Sequence, residues 1–111
     1  MKIAPDRAAD YYSLEREHWL PMQTQRMKEG AVKSWTLWSF VSPSGSGRRY
    51  DAMTSTIYKD LNAAMANPGY EALYRKLFPD RSPASVFDRT RTTRTIVQSD
   101  LWRVIWAARR P

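Results

Sequence analysis

From Val32 to Val41 large apolar side chains fall on both sides of a period-two pattern: Trp35, Leu37 and Val41 on one, Val32, Trp38 and Phe40 on the other. The pattern predicts a strand buried on both faces. Two covering layers are then needed, and a chain of this length supplies one. The expected source of the second layer is another copy of the same chain. Tyr50 to Tyr58 alternates as a second strand, with Tyr50, Ala52, Thr54, Thr56 and Tyr58 on one face and Asp51, Met53, Ser55 and Ile57 on the other. The Ser, Gly and Pro content of Ser42 to Arg49 makes that segment the flexible connection of a long hairpin.

Upstream, Lys2 to Ala4 forms a short strand closed by Pro5. Asp6 is then placed to cap a long helix running to about Glu29, with Gly30 just past its end. Pro21 lies inside that helix and is predicted to kink or divide it near Trp19. Downstream, Lys59 to Ala66 reads as a helix that stops at Asn67-Pro68-Gly69, followed by a second helical piece from Tyr70 to about Phe78. Ser82 is placed to cap one short helix through Phe87. From about Arg91 the β-branched Thr92, Thr93, Thr95, Ile96 and Val97 predict a closing strand, which Leu101 to Ala107 extends or follows as an amphipathic turn.

This order predicts an α+β chain, a single ferredoxin-like domain over residues 1–111. In that split βαβ sandwich two helices cover one face of a four-stranded antiparallel sheet. The other sheet face receives at least one Trp from Val32–Val41 and no helix. An apolar patch of that kind marks an association surface, so a homodimer is expected.

Composition narrows the chemistry. With 42% hydrophobic residues and five Trp in 111 residues, the chain is expected to fold, although its mean hydropathy is −0.64. Zero Cys excludes disulfides and thiolate catalysis, and a single His leaves almost nothing for a zinc site, so no metal is expected. No apolar run is long enough to span a bilayer, and Met1 to Pro5 is too short for a signal peptide. The chain reads as soluble, with the cytoplasm favoured over a secreted form that has lost a leader. The net charge of +7 is spread along the chain, which favours solvated surface charge over a nucleic-acid footprint.

On the first helix Tyr11, Glu15, His18 and Met22 share one arc, flanked by Leu14 and Trp19. A carboxylate and the only imidazole thus sit on an otherwise apolar stripe, where they must pair, titrate or meet water. As a catalytic couple at i, i+3 spacing, Glu15 would orient the ring or act as a base, and His18 would move a proton or ligate haem iron. The alternative is a Glu hydrogen-bonded to a Tyr or Arg beneath the helix, with His18 at the edge of the stripe. Trp35, Trp38, Tyr50 and Tyr58 could line an aromatic pocket, and dimer packing explains the same residues. Arg89, Arg91, Arg94 and Arg103 could hold an anion, with Arg89 and Arg91 on one strand face, or pair with Asp51, Asp88 or Asp100. Gly45-x-Gly47 is too short for a dinucleotide fingerprint.

Several motifs resemble one superfamily. Tyr11-x-x-Leu14-Glu15-x-x-x-Trp19-x-Pro21, Gly30-x-x-x-Ser34-Trp35-x-Leu37, Tyr50-Asp51 and Arg94-x-Ile96-Val97-x-Ser99-Asp100-Leu101-Trp102 look like a branch of the dimeric α/β-barrel proteins. That superfamily includes the antibiotic-biosynthesis monooxygenases and NIPSNAP-like proteins, whose ferredoxin-like protomers pair sheet to sheet. The resemblance implies a small, mostly apolar or aromatic ligand held in a helix–sheet cleft, and in some members haem. It does not single out an activity, because the fold hosts several chemistries.

The resulting expectation is a homodimeric α/β-barrel protein, a cofactor-independent oxygenase or isomerase if it turns substrate over. Glu15 and His18 are its candidate catalytic residues, and Tyr11, Trp19, Trp35, Tyr50, Tyr58 and Arg94 its candidate ligand contacts. A noncatalytic dimeric interaction module and a basic nucleic-acid binder are the alternatives. The residues leave the cofactor and substrate open.

Overall fold

The computed structural model describes residues 1–42 and 47–111, so the centre of the expected Ser/Gly-rich connection, including Gly45, lies outside the described residues. Mixed helix and sheet follow in the order β1 (Lys2–Ile3), α1 (Ala8–Leu14), a π-helical turn (Glu15–Trp19), α2 (Leu20–Lys28), β2 (Val32–Ser39), β3 (Ala52–Tyr58), α3 (Leu61–Met65), α4 (Tyr70–Leu77), α5 (Pro83–Thr93) and β4 (Arg94–Thr95). The strands form two antiparallel two-stranded sheets, β1 with β4 and β2 with β3. Met1 brings the two sheets together: its backbone nitrogen donates to Ala52 O at 2.6 Å, and its carbonyl accepts from Asp51 N at 2.8 Å.

The division of the first helix has a local cause. Pro21 has no N–H to bond four residues back, and its ring crowds the carbonyl there. The turn before it is widened, so that the Leu20 N–H reaches five residues back to Glu15 O. The expected break near Trp19 is therefore a π-helical turn. Asp6 does not cap α1: it adopts a left-handed backbone at φ 58°, and α1 begins after Arg7 without a side-chain cap. By contrast, Asp60 caps α3 through a 2.8 Å bond from Ala63 N, and Ser82 accepts from Ser85 N at the start of α5.

The hairpin register sets which side chains share a face. Val32 pairs with Tyr58 but Ser34 with Ile57, so a bulge at Lys33 moves Val32 to the side of Trp35 and Leu37 instead of Trp38. That side, with Ala52, Thr54, Thr56 and Tyr58, meets the helices, and Val32 and Ala52 are buried. The opposite side carries Ser34, Thr36, Trp38, Met53, Ser55 and Ile57. Its three large apolar side chains, Trp38, Met53 and Ile57, are each about half exposed. Within one chain, β2 is thus buried on one face only, not on both.

The core lies between the first helix and the C-terminal helices, with Met22, Leu73, Tyr74 and Val86 at its centre and Trp19, Tyr70 and Phe87 against it. Helix α5 continues to Thr93, past the expected end at Phe87, and the closing strand is only Arg94–Thr95. Thr90, Thr92 and Thr93 turn their hydroxyls back onto the carbonyls of Val86, Arg89 and Thr90, which lets β-branched residues sit in a helix. Residues 96–111 form neither helix nor strand, and Leu101, Trp102, Val104, Ile105 and Trp106 are 60–93% exposed.

The chain exposes 8377 Å², whereas a compact monomer of its mass exposes about 6,300 Å². Its radius of gyration is 15.4 Å, against about 13 Å expected for its length.

Candidate functional site

Tyr11, Glu15, His18 and Met22 are all buried, as the shared arc on the first helix requires. The π-helical turn runs through the middle of this stripe, and Glu15 and His18 find separate partners. Glu15 faces Tyr11 and Arg94. Burial raises its carboxyl to about 7, against the pull of the Arg94 charge and the Tyr11 hydroxyl. Burial, followed by the nearby Glu15 charge, raises the Tyr11 phenol as well. The Tyr11 hydroxyl donates to Met1 Sδ at 3.6 Å, and Arg94 Nε is buried with no hydrogen-bond partner. The cluster has the composition of a proton-holding site: a carboxyl that titrates near neutrality, a phenol and an undersatisfied guanidinium.

His18 belongs to the other side of the turn. Its Nδ1 shares a 3.1 Å hydrogen bond with Tyr74 Oη on α4, and Phe78 lies edge-on at 5.5 Å. Burial first, then the Arg81 charge and, more weakly than the opposing pull of Glu17, the Arg89 charge lower its pKa. The imidazole is therefore held neutral between helices, away from the sheet side where Glu15 sits. The expected Glu15–His18 couple is replaced by these two separate pairings, and His18 is buried rather than at the edge of the stripe.

The aromatic candidates are dispersed. Trp19 donates to Thr90 Oγ1 at 3.2 Å and stacks on Phe87, inside the helical core. Trp35 is half-buried on the helix side of the hairpin, and Trp38 is exposed on the other. Tyr50 donates to Gln98 Oε1 at 2.8 Å, at the start of the C-terminal segment. Tyr58 lies beneath the Arg26 guanidinium.

That guanidinium belongs to a network the helical pattern did not isolate. Arg26 is 5% exposed, lies between the Tyr58 and Tyr70 rings, and donates to Tyr70 Oη at 2.9 Å. Gln23 Nε2 donates to the same oxygen at 2.9 Å. The i, i+3 spacing of Gln23 and Arg26 on the inner side of α2 was the available signal. Arg89 and Arg91 lie on α5 rather than on a strand, where residues two apart point to different sides, and Arg91 pairs with Asp88.

A cleft of about 360 Å³ opens between β1, the start of α1 and the end of the hairpin, lined by Ile3, Ala8, Tyr12, Phe40, Arg48 and Asp51 among others. Tyr12, not Tyr11, faces it, and Glu15 is not in its lining. Asp51 anchors its wall by accepting from Ile3 N and Arg48 Nε at 2.8 and 2.9 Å, and the Ile3 bond holds its carboxyl below the usual range. Among the described residues no three His, Cys, Asp or Glu side chains converge as a metal site, and no helix is long and apolar enough to cross a membrane. Comparison with protein-family models, with curated proteins and with solved structures finds no match for this chain.

Proposed function

We propose that the chain is a homodimeric α/β-barrel protein of ferredoxin-like protomers that holds a small, mostly apolar or aromatic molecule between the first helix and the sheet. One observation carries the reading: the hairpin side bearing Trp38, Met53 and Ile57 is bare while the opposite side packs against helices. The Met1 hydrogen bonds to Asp51 and Ala52 support a continuous order β4-β1-β3-β2, which makes one antiparallel layer with a free face.

Within that frame Glu15 is the group that takes or gives a proton, and Tyr11 and Arg94 set its charge state. A carboxyl titrating near 7 suits removal of a proton from a ligand carbon or hydroxyl, the opening step of isomerase or cofactor-independent oxygenase chemistry. The closed surroundings of Glu15, 6% exposed and outside the cleft lining, favour a second reading, a noncatalytic dimeric module whose aromatics only pack.

Binding of 1,4-dihydroxynaphthalene, followed by NMR shifts of the full chain, separates the two. The catalytic reading expects saturable binding that Glu15→Gln weakens by about tenfold or more and that the exposed Glu17→Gln leaves unchanged. Absence of binding leaves the module, and binding that Glu15→Gln leaves unchanged removes Glu15 from the site.

A further inference from the structure

We propose that Arg26 is a carboxylate receptor: the Nε–Nη2 edge of its guanidinium takes the carboxylate of a small planar molecule that enters between Tyr58 and Tyr70. The site uses neither Glu15 nor a second copy of the chain, and so goes beyond the reading above. It starts from an imbalance of charge. Arg26 is 5% exposed, yet among the described residues no carboxylate pairs with it. Glu29, three residues further along α2, is engaged by Gln25 Nε2 at 3.2 Å and by Lys76 Nζ at 3.6 Å. A buried cation without an anion is costly, and the faces of aromatic rings offset only part of that cost.

The guanidinium is also held as a receptor requires. Both of its hydrogen bonds among the described residues leave from Nη1, to Tyr70 Oη at 2.9 Å and to Gln23 Oε1 at 3.3 Å. Gln23 Nε2 donates to the same Tyr70 oxygen, which closes the clamp on itself. The Tyr58 and Tyr70 ring centroids lie 5.6 and 5.4 Å from Arg26 Cζ, and Trp19 meets the Tyr70 ring edge-on at 5.2 Å. One end of the guanidinium is therefore fixed. The opposite edge, Nε and Nη2, makes no hydrogen bond among the described residues, and neither atom is sealed from solvent as Arg94 Nε is. That edge presents two parallel N–H groups, the fork that a carboxylate accepts through both oxygens. A carboxylate is flat, which suits an opening this narrow better than a tetrahedral phosphate.

Titration of the full chain with sodium benzoate, followed by the proton–nitrogen NMR signal of Arg26 Nε–H, tests the site directly. Loss of the signal in Arg26→Lys assigns it. At constant ionic strength it should move saturably with a midpoint of about 1 mM, while sodium chloride leaves it in place. Arg26→Lys keeps the charge and removes the fork, and should weaken binding by about tenfold, read from the Tyr58 and Tyr70 ring signals. Arg75→Gln, which removes an exposed charge on α4, should bind like the parent. A signal that benzoate does not move, or that chloride moves equally, overturns the site; it is read on the parent chain, so it decides even where a variant fails to fold. Tighter binding of phosphate than of benzoate overturns the carboxylate assignment, and equal binding by the parent and Arg26→Lys overturns the role of the fork.

Discussion

The interior stripe of the first helix and the outer side of the β2–β3 hairpin both carry large apolar side chains, but they are treated oppositely by the fold. Tyr11, Leu14 and Met22 are 0–2% exposed, while Trp38, Met53 and Ile57 remain 51–53% exposed. The first group holds the protomer together. The second contributes little to it, and on the proposed reading its apolar character answers to a second copy of the chain. Substitutions should therefore separate folding from association.

The largest expected effect is on the packed side. Leu14→Ala should cost about 2–5 kcal/mol of stability, read by denaturant unfolding at fixed protein concentration. A cost below about 1 kcal/mol would mean that the stripe does not hold the protomer together. On the bare side, Trp38→Ser with Ile57→Ser should leave protomer secondary structure intact, seen by far-UV circular dichroism, while lowering the sedimenting mass to that of one chain.

The two titratable groups of the stripe sharpen the comparison further, because burial moves both toward neutrality from opposite directions. Glu15 rises from 4.5 to about 7, so the stability it contributes is fully present below pH 4.5 and is lost as pH rises through about 7. Glu15→Gln should gain on the parent by up to about 3 kcal/mol at pH 8, and the gain should vanish near pH 4. His18 is lowered, so its contribution is present above pH 6.5 and falls away as the pH drops further. His18→Gln should flatten that acid-side slope, a smaller effect measured by thermal unfolding from pH 7 to 5. The smallest effect is expected from Arg75→Ala, which breaks an exposed i, i+4 pair with Glu71 and should change stability by less than about 0.5 kcal/mol.

How much was legible in the sequence follows from which forces are local. The hairpin alternation, the cap at Ser82 and the disturbance before Pro21 depend on neighbours along the chain, and each is found, whereas the cap expected at Asp6 is not. The Val32 face was misread because a one-residue bulge at Lys33 shifts the period of two and leaves no mark in composition. The strand expected from Arg91 shrank to Arg94–Thr95 because threonine hydroxyls satisfied backbone carbonyls within a helix, against their β propensity. At the candidate site, the shared arc of Tyr11, Glu15 and His18 was readable from spacing. Their separation was not, since it depends on a widened turn and on Tyr74 and Arg94, 56 residues beyond His18 and 79 beyond Glu15.

The central claim is that a second copy of the chain covers the bare hairpin side. Sedimentation equilibrium of the full chain across micromolar concentrations tests it directly. The account expects a mass of two 12.9 kDa chains that falls to one when Trp38 and Ile57 are replaced by Ser. A single 12.9 kDa species at every concentration would contradict it.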